Sequence, residues 1–82
     1  MTASRLTAEQ RHALRILADA GQNGVTEAIM LAHGFRREML ARLVLAELAT
    51  IVTRMMRAGG ATTMKIDHYL ITDDGLAALE ES

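Results

Sequence analysis

The basic residues set the first chemical question. Arg36 and Arg37 stand side by side, Arg42 follows, and Arg54, Arg57 and Lys65 flank the pair Gly59-Gly60. Guanidinium groups bond phosphates and guanine edges in a fixed, forked geometry. From Ala28 to Ile66 six basic residues face only Glu38 and Glu47, a net of +4, while the rest of the chain carries three basic residues against eight acidic ones, a net of −5. This asymmetry points to one anion-facing region, although the total charge of −1 is not that of a strongly basic nucleic-acid binder. Each basic group also has a plainer reading. Arg36 and Arg37 would serve as a solvated helix start, where arginine is slightly unfavourable. Arg54, Arg57 and Lys65 would serve as charges that keep a sheet edge from pairing.

A second set of residues suits contact with protein. Met55, Met56 and Met64 fall in one stretch with strand character, where alternation cannot bury all three. Exposed methionines make an adaptable apolar surface, the alternative being irregular core filling. Leu45 falls on the outer side of its helix and joins them as a candidate contact.

Other chemistries are poorly supplied. His12, His33 and His68 are the only imidazoles, and nothing in their spacing makes them converge with a carboxylate such as Asp67. There is no cysteine, so a thiolate metal site, a disulfide and a cysteine nucleophile are all excluded. No Ser-His-Asp order, phosphate-cradling glycine loop or isolated carboxylate pair stands out. Asp73-Asp74 reads as part of a helix cap and Glu80-Glu81 as tail solvation. No metal, no cofactor and no enzymatic activity are expected.

The elements that position these groups are readable. With 82 residues, half of them hydrophobic, the chain suits one globular domain spanning 1–82. No stretch approaches the roughly 18 apolar residues of a membrane span. Met1 to Arg15 has arginines but no continuous apolar run, so neither a secretory leader nor a membrane anchor is expected, and a cytoplasmic protein is. Thr7-Ala8-Glu9-Gln10 fits a capping box opening a first helix. Ala13, Leu14, Leu17 and Ala18 give that helix its apolar stripe, and Gly21 stops it. Thr26 can cap a short second helix that ends at Gly34. Phe35 then plugs the corner, and a third helix runs from about Arg36 to Ala46 with Met39, Leu40, Leu43 and Val44 inward. Beyond it the period changes to that of strands, Leu48–Met56 and Thr63–Thr72, joined across Gly59-Gly60 as a two-stranded antiparallel hairpin. Thr72-Asp73-Asp74 caps a short last helix carrying Leu76, Ala77 and Leu79.

This order of elements resembles the winged helix-turn-helix superfamily in its MarR-like or PadR-like bacterial form. Leu6 to Ala20 is similar to the family's first helix. Val25-Thr26-Glu27-Ala28-Ile29-Met30-Leu31-Ala32-His33-Gly34-Phe35 resembles its T-x-x-x-L-A-x-x-G-hydrophobic segment, and Leu40 to Ala49 its recognition helix running into the first wing strand. Tyr69-Leu70-Ile71-Thr72-Asp73-Asp74-Gly75-Leu76-Ala77-Ala78-Leu79 resembles the exit from the wing, hydrophobic-x-Leu-Thr-x-x-Gly-x-x-x-Leu, the most specific of the four. The chain also resembles small bacterial one-domain proteins of this shape. The resemblance covers nearly the whole chain. It implies an α+β fold of three helices with a helix-turn-helix, a two-stranded wing and a short C-terminal helix.

It also implies transcription regulation, with the third helix in the major groove of double-stranded DNA and the wing on the backbone. Arg36, Arg37 and Arg42 would then meet DNA from the helix, and Arg54, Arg57 and Lys65 from the wing. The chain departs from the family pattern in two ways. Glu47 stands where many relatives have glycine, so a positive φ there would carry strain. The exposed side of the third helix offers Arg37, Glu38, Ala41, Arg42 and Leu45 rather than the usual amides and hydroxyls, which favours backbone contact over base reading. A protein-interaction module on the same scaffold, using Leu45, Met55, Met56 and Met64, is the alternative. MarR-like relatives dimerise through added terminal helices. Only Asp73 to Ser82 follow Thr72 here, which argues against a dimer of that type and leaves a homodimer open.

Overall fold

The structure, a computed structural model, describes residues 6–81. Met1–Arg5, part of the stretch weighed above as a leader, and Ser82 lie outside the described residues. Four α-helices and a three-stranded antiparallel sheet make an α+β fold. In chain order these are α1 (Ala8–Ala20), a 3-10 turn (Gly21–Asn23), β1 (Val25–Thr26), α2 (Glu27–Ala32), α3 (Arg37–Leu45), β2 (Ala49–Arg57), β3 (Thr63–Ile71) and α4 (Asp73–Glu81). Among the described residues no helix is long and apolar enough to cross a membrane.

Local chemistry explains the boundaries. The Gln10 amide donates to Thr7 Oγ1 at 3.0 Å, and the Thr7 amide donates to Gln10 Oε1 at 3.0 Å, so the capping box closes as its sequence requires. Thr26 caps α2 through Oγ1, which accepts from the Ile29 amide at 3.3 Å. Arg36 is extended (φ −93°, ψ 148°) and precedes α3 with no side-chain cap bond. The hairpin turns where Gly59 and Gly60 adopt φ of +116° and +53°, a region open to glycine at no steric cost.

The sheet corrects the expectation of a two-stranded ribbon. Val25 and Thr26 pair with Tyr69 and His68, so the strand order is β1-β3-β2. Two residues after a glycine, the second of them already the cap of α2, are too few to carry a period, which is why β1 is silent in the sequence. The hairpin itself pairs Ala49–Arg57 with Thr63–Ile71 in one unbroken register, Ala49 opposite Ile71 and Arg57 opposite Thr63.

The core lies at the helical end. Leu14 and Leu17 of α1, Met30 of α2 and Leu40 and Leu43 of α3 are wholly buried, with Ala49 and Tyr69 closing from the sheet. Phe35 is buried at the corner as its position implied. It is met by two rings: His12 edge-on at 5.3 Å and His33 tilted at 6.1 Å between centroids. The last helix is seated by a small network. Thr72 Oγ1 donates to the Glu47 carbonyl at 2.6 Å and accepts from the Gly75 amide at 3.0 Å. Gly75 lies so close to the Leu48 carbonyl that any Cβ would collide with it. Thr-x-x-Gly is therefore a packing motif, in which a hydroxyl caps α4 and a bare Cα lets the helix approach the entrance of β2.

Candidate nucleic-acid interface

The outer side of α3 is set by helical spacing. Leu40 and Leu43 point inward, so Glu38, Ala41, Arg42 and Leu45 share the solvent side, all of them exposed. Leu45 is 82% exposed, more than any other large apolar side chain among the described residues. Arg36 and Arg42, with Glu38 and Met39, form one wall of an open cleft of about 640 Å³. Thr7, Glu9 and Gln10 at the start of α1 form the other wall.

The hairpin carries the second group. Its strands are nine residues each, and at about 3.3 Å per residue they reach roughly 30 Å. The molecule is accordingly elongated, 51 × 23 × 20 Å. Arg57 stands at the outer end of β2, opposite Thr63, and Lys65 lies opposite Met55.

The six basic candidates divide into two kinds. Arg36, Arg42, Arg57 and Lys65 are exposed and form no ion pair among the described residues. Arg37 and Arg54 have partners. Arg37 Nε lies 3.2 Å from Glu27 Oε2, tying the start of α3 to the start of α2. Arg54 donates from Nη1 to the Asn23 carbonyl at 2.6 Å and from Nη2 to the Gln22 carbonyl at 2.8 Å. It reaches across β3 from the opposite strand and satisfies two carbonyls of the 3-10 turn. A wing role for Arg54 would first have to break that clasp. Neither partnership is legible in the sequence, because both span elements whose relative position is a tertiary fact.

Carboxylates reduce the basic surplus further. A shallower hollow of about 390 Å³ between α2 and β3 is lined by Glu27, Asp67 and Lys65, with Thr26, Ala28 and Ile66. Two acids against one lysine make it a poor phosphate site. The same carboxylates act on Tyr69. Its hydroxyl is held above the ordinary tyrosine pKa first by burial, then by Glu27 and Asp67, with Arg37 opposing.

The apolar candidates do not form one patch. Met56 and Met64 are directly opposite and share a sheet face with Val52 and Ile66. Met55 stands on the other face with Ile51 and Lys65. All three methionines are exposed, at 61%, 43% and 52% for Met55, Met56 and Met64, so the core is filled without them. The histidines are brought together only in part. His12 and His33 lie 6.4 Å apart around Phe35, while His68 is buried in β3 with Nδ1 at 3.1 Å from the Ile66 carbonyl. Among the described residues no group of three or more histidines and carboxylates is arranged to hold a metal.

Compared with known proteins, the chain matches no family model, no curated protein and no solved structure.

Proposed function

We propose that this chain is a winged-helix protein that binds double-stranded DNA as a transcription regulator of bacterial type, through α3 in the major groove and the hairpin on the backbone. The observation that carries the reading is the set of four exposed cations without an ion pair among the described residues, Arg36 and Arg42 on α3 and Arg57 and Lys65 on a projecting hairpin, in a molecule 51 Å long. Cations spread over such a length suit an extended polyanion better than a small anion. Affinity comes from phosphate contacts, since Ala41 and Leu45 offer only methyl contact to bases and Glu38 opposes the backbone.

Salt-dependent titration with random duplex tests this. Each phosphate contact contributes roughly 0.9 to the slope of log affinity against log salt. Arg42→Ala and Arg57→Ala should each flatten it by about that amount. Affinity itself should be weak, on the order of 10⁻⁴ to 10⁻⁶ M at physiological salt. No detectable binding at about 50 mM salt, where screening is mild, removes the reading.

A protein-interaction role is favoured by one specific observation, the 82% exposure of Leu45 at the end of α3, with Met56 and Met64 exposed separately on the hairpin. Under that reading Leu45→Asp or Met56→Gln abolishes partner binding while the arginine variants leave it nearly unchanged.

A further inference from the structure

Among the described residues, the outer edge of β2 pairs with no further strand. The Ala58 amide donates to the Thr62 carbonyl and the Thr72 amide to the Leu48 carbonyl, both in register with the hairpin. Hydrogen-bonded pairs alternate along an antiparallel ladder. Even-numbered residues of β2 therefore bond to β3, and Ile51, Thr53, Met55 and Arg57 direct their N–H and C=O groups outward. The register runs through all nine pairs without a bulge, and the chain contains no proline. Natural edges are blunted by such devices or by charge. The free part of the β3 edge does carry charge, at Lys65 and Asp67. On β2, Arg54 is folded back onto the Gln22 and Asn23 carbonyls. That leaves Ile51, Thr53 and Met55 as the middle of an exposed edge. The outer half of the hairpin, exposed on both faces, also lacks the backing that an isolated two-stranded ribbon needs in water.

We propose that β2 pairs antiparallel with β2 of a second copy of this chain, joining two three-stranded sheets into one across a dyad at Thr53. Thr53 is the middle residue of β2, so this register overlaps the whole strand. It sets Ile51 opposite the second copy's Met55, Val52 opposite its Arg54 and Ala49 opposite its Arg57. No like charges face each other. Arg57 arrives two residues from the second copy's Glu47, whose carboxylate has no partner within its own chain among the described residues. Sliding the strands two residues toward the tip would set Arg54 against Arg54. The dyad is perpendicular to the sheet, so both α3–β2 junctions lie on one side, roughly 27 Å apart along the strands. Resting on the DNA reading, that spacing approaches the roughly 34 Å between half-sites one helical turn apart; the pairing itself does not depend on that reading.

Sedimentation equilibrium of the full chain without DNA is the test. The wild type should sediment at twice the monomer mass. Met55→Pro removes an N–H that β3 does not use, so it should give a folded monomer with an unchanged far-ultraviolet spectrum. If that variant unfolds, two surface double variants decide. Ile51→Glu with Met55→Lys brings opposite charges together across the dyad and should stay dimeric. Ile51→Lys with Met55→Lys sets like charges opposite and should be monomeric. A monomeric wild type, or double variants that behave alike, overturns the proposal.

Discussion

Leu14, Leu17, Met30, Leu40 and Leu43 expose essentially nothing, whereas along Thr53–Arg57 and Thr63–Asp67 only Arg54 and Ile66 are even half-buried. The helical end is held by apolar packing around the Phe35 corner. The outer hairpin is held by ladder hydrogen bonds, a glycine turn and cross-strand pairs such as Met56 with Met64 and Thr53 with Asp67, the last bonded through oxygens at 2.7 Å. Stability and surface chemistry are therefore kept apart. The helical end can lose little without unfolding, while most side chains of the outer hairpin can change at small cost to the fold of the single chain.

Truncation on either side should break or sharpen this contrast most strongly. Phe35→Ala should cost about 3–5 kcal/mol, a large share of a small domain's total. Met64→Ala should fall within about 0.5 kcal/mol of the wild type, as surface substitutions do. Thermal melts of both variants check this. Equal losses would mean that the outer hairpin is packed against something in solution.

The next effect sits where the two regions join. Gly75→Ala drives a methyl group into the Leu48 carbonyl and the Ile71 side chain. With backbone on one side of the contact, relaxation is limited, and a loss of about 1–3 kcal/mol is expected by chemical denaturation. A neutral result would mean that α4 can shift away from β2 without consequence.

Arg54 and Arg57 make a finer comparison, being two arginines of one strand, the first bonded to the 3-10 turn and the second without an ion pair among the described residues. Arg54→Ala frees the Gln22 and Asn23 carbonyls and should cost about 1–2 kcal/mol, discounted for partial exposure. It should leave the salt slope of the proposed DNA binding unchanged. Arg57→Ala should do the reverse. If Arg54→Ala flattens the slope while leaving stability intact, the clasp is not maintained in solution.

Glu47 is the strained hinge of the same junction, with φ of +65°. The winged-helix resemblance would place a glycine where the sequence has Glu47, and the backbone adopts the conformation that makes a side chain there costly. Glu47→Gly should therefore raise stability by about 0.5–1 kcal/mol, the relief of a left-handed side chain offset by a freer unfolded chain.

What could be read in advance follows the range of the forces involved. Thr7 with Gln10, Thr26, the period of α1 and α3, Gly59-Gly60 and the Thr72-x-x-Gly75 cap are local, and their geometry is fixed by neighbours within one turn of chain. Alternation required only that not all of Met55, Met56 and Met64 be buried; that all three are exposed is a tertiary outcome. β1 was not legible, since its two residues pair only because β3 arrives beside them. Nor were the Arg37–Glu27 pair and the Arg54 clasp, each joining elements far apart in sequence. Composition counted six cations in the central region, and tertiary structure engages two of them. The candidate surface is thus leaner in free charge than the sequence implied, and its apolar part is divided between two sheet faces.

The smallest expected effect concerns Tyr69, at the boundary between the buried and exposed parts of β3. Burial, together with Glu27 and Asp67, disfavours its phenolate, so the folded-state pKa lies above that of the unfolded chain. The folded state then holds the proton more tightly. The stabilisation this confers is complete below a pH of about 10, the unfolded value, and is lost as pH rises through the folded value. Melting temperature followed into the alkaline range should fall for the wild type, and Tyr69→Phe should remove that part of the fall. The loss belongs to the join, because only there do a buried ring and the α2 carboxylate meet. An identical alkaline decline in Tyr69→Phe would remove Tyr69 as its cause, and the junction would then be solvated rather than closed.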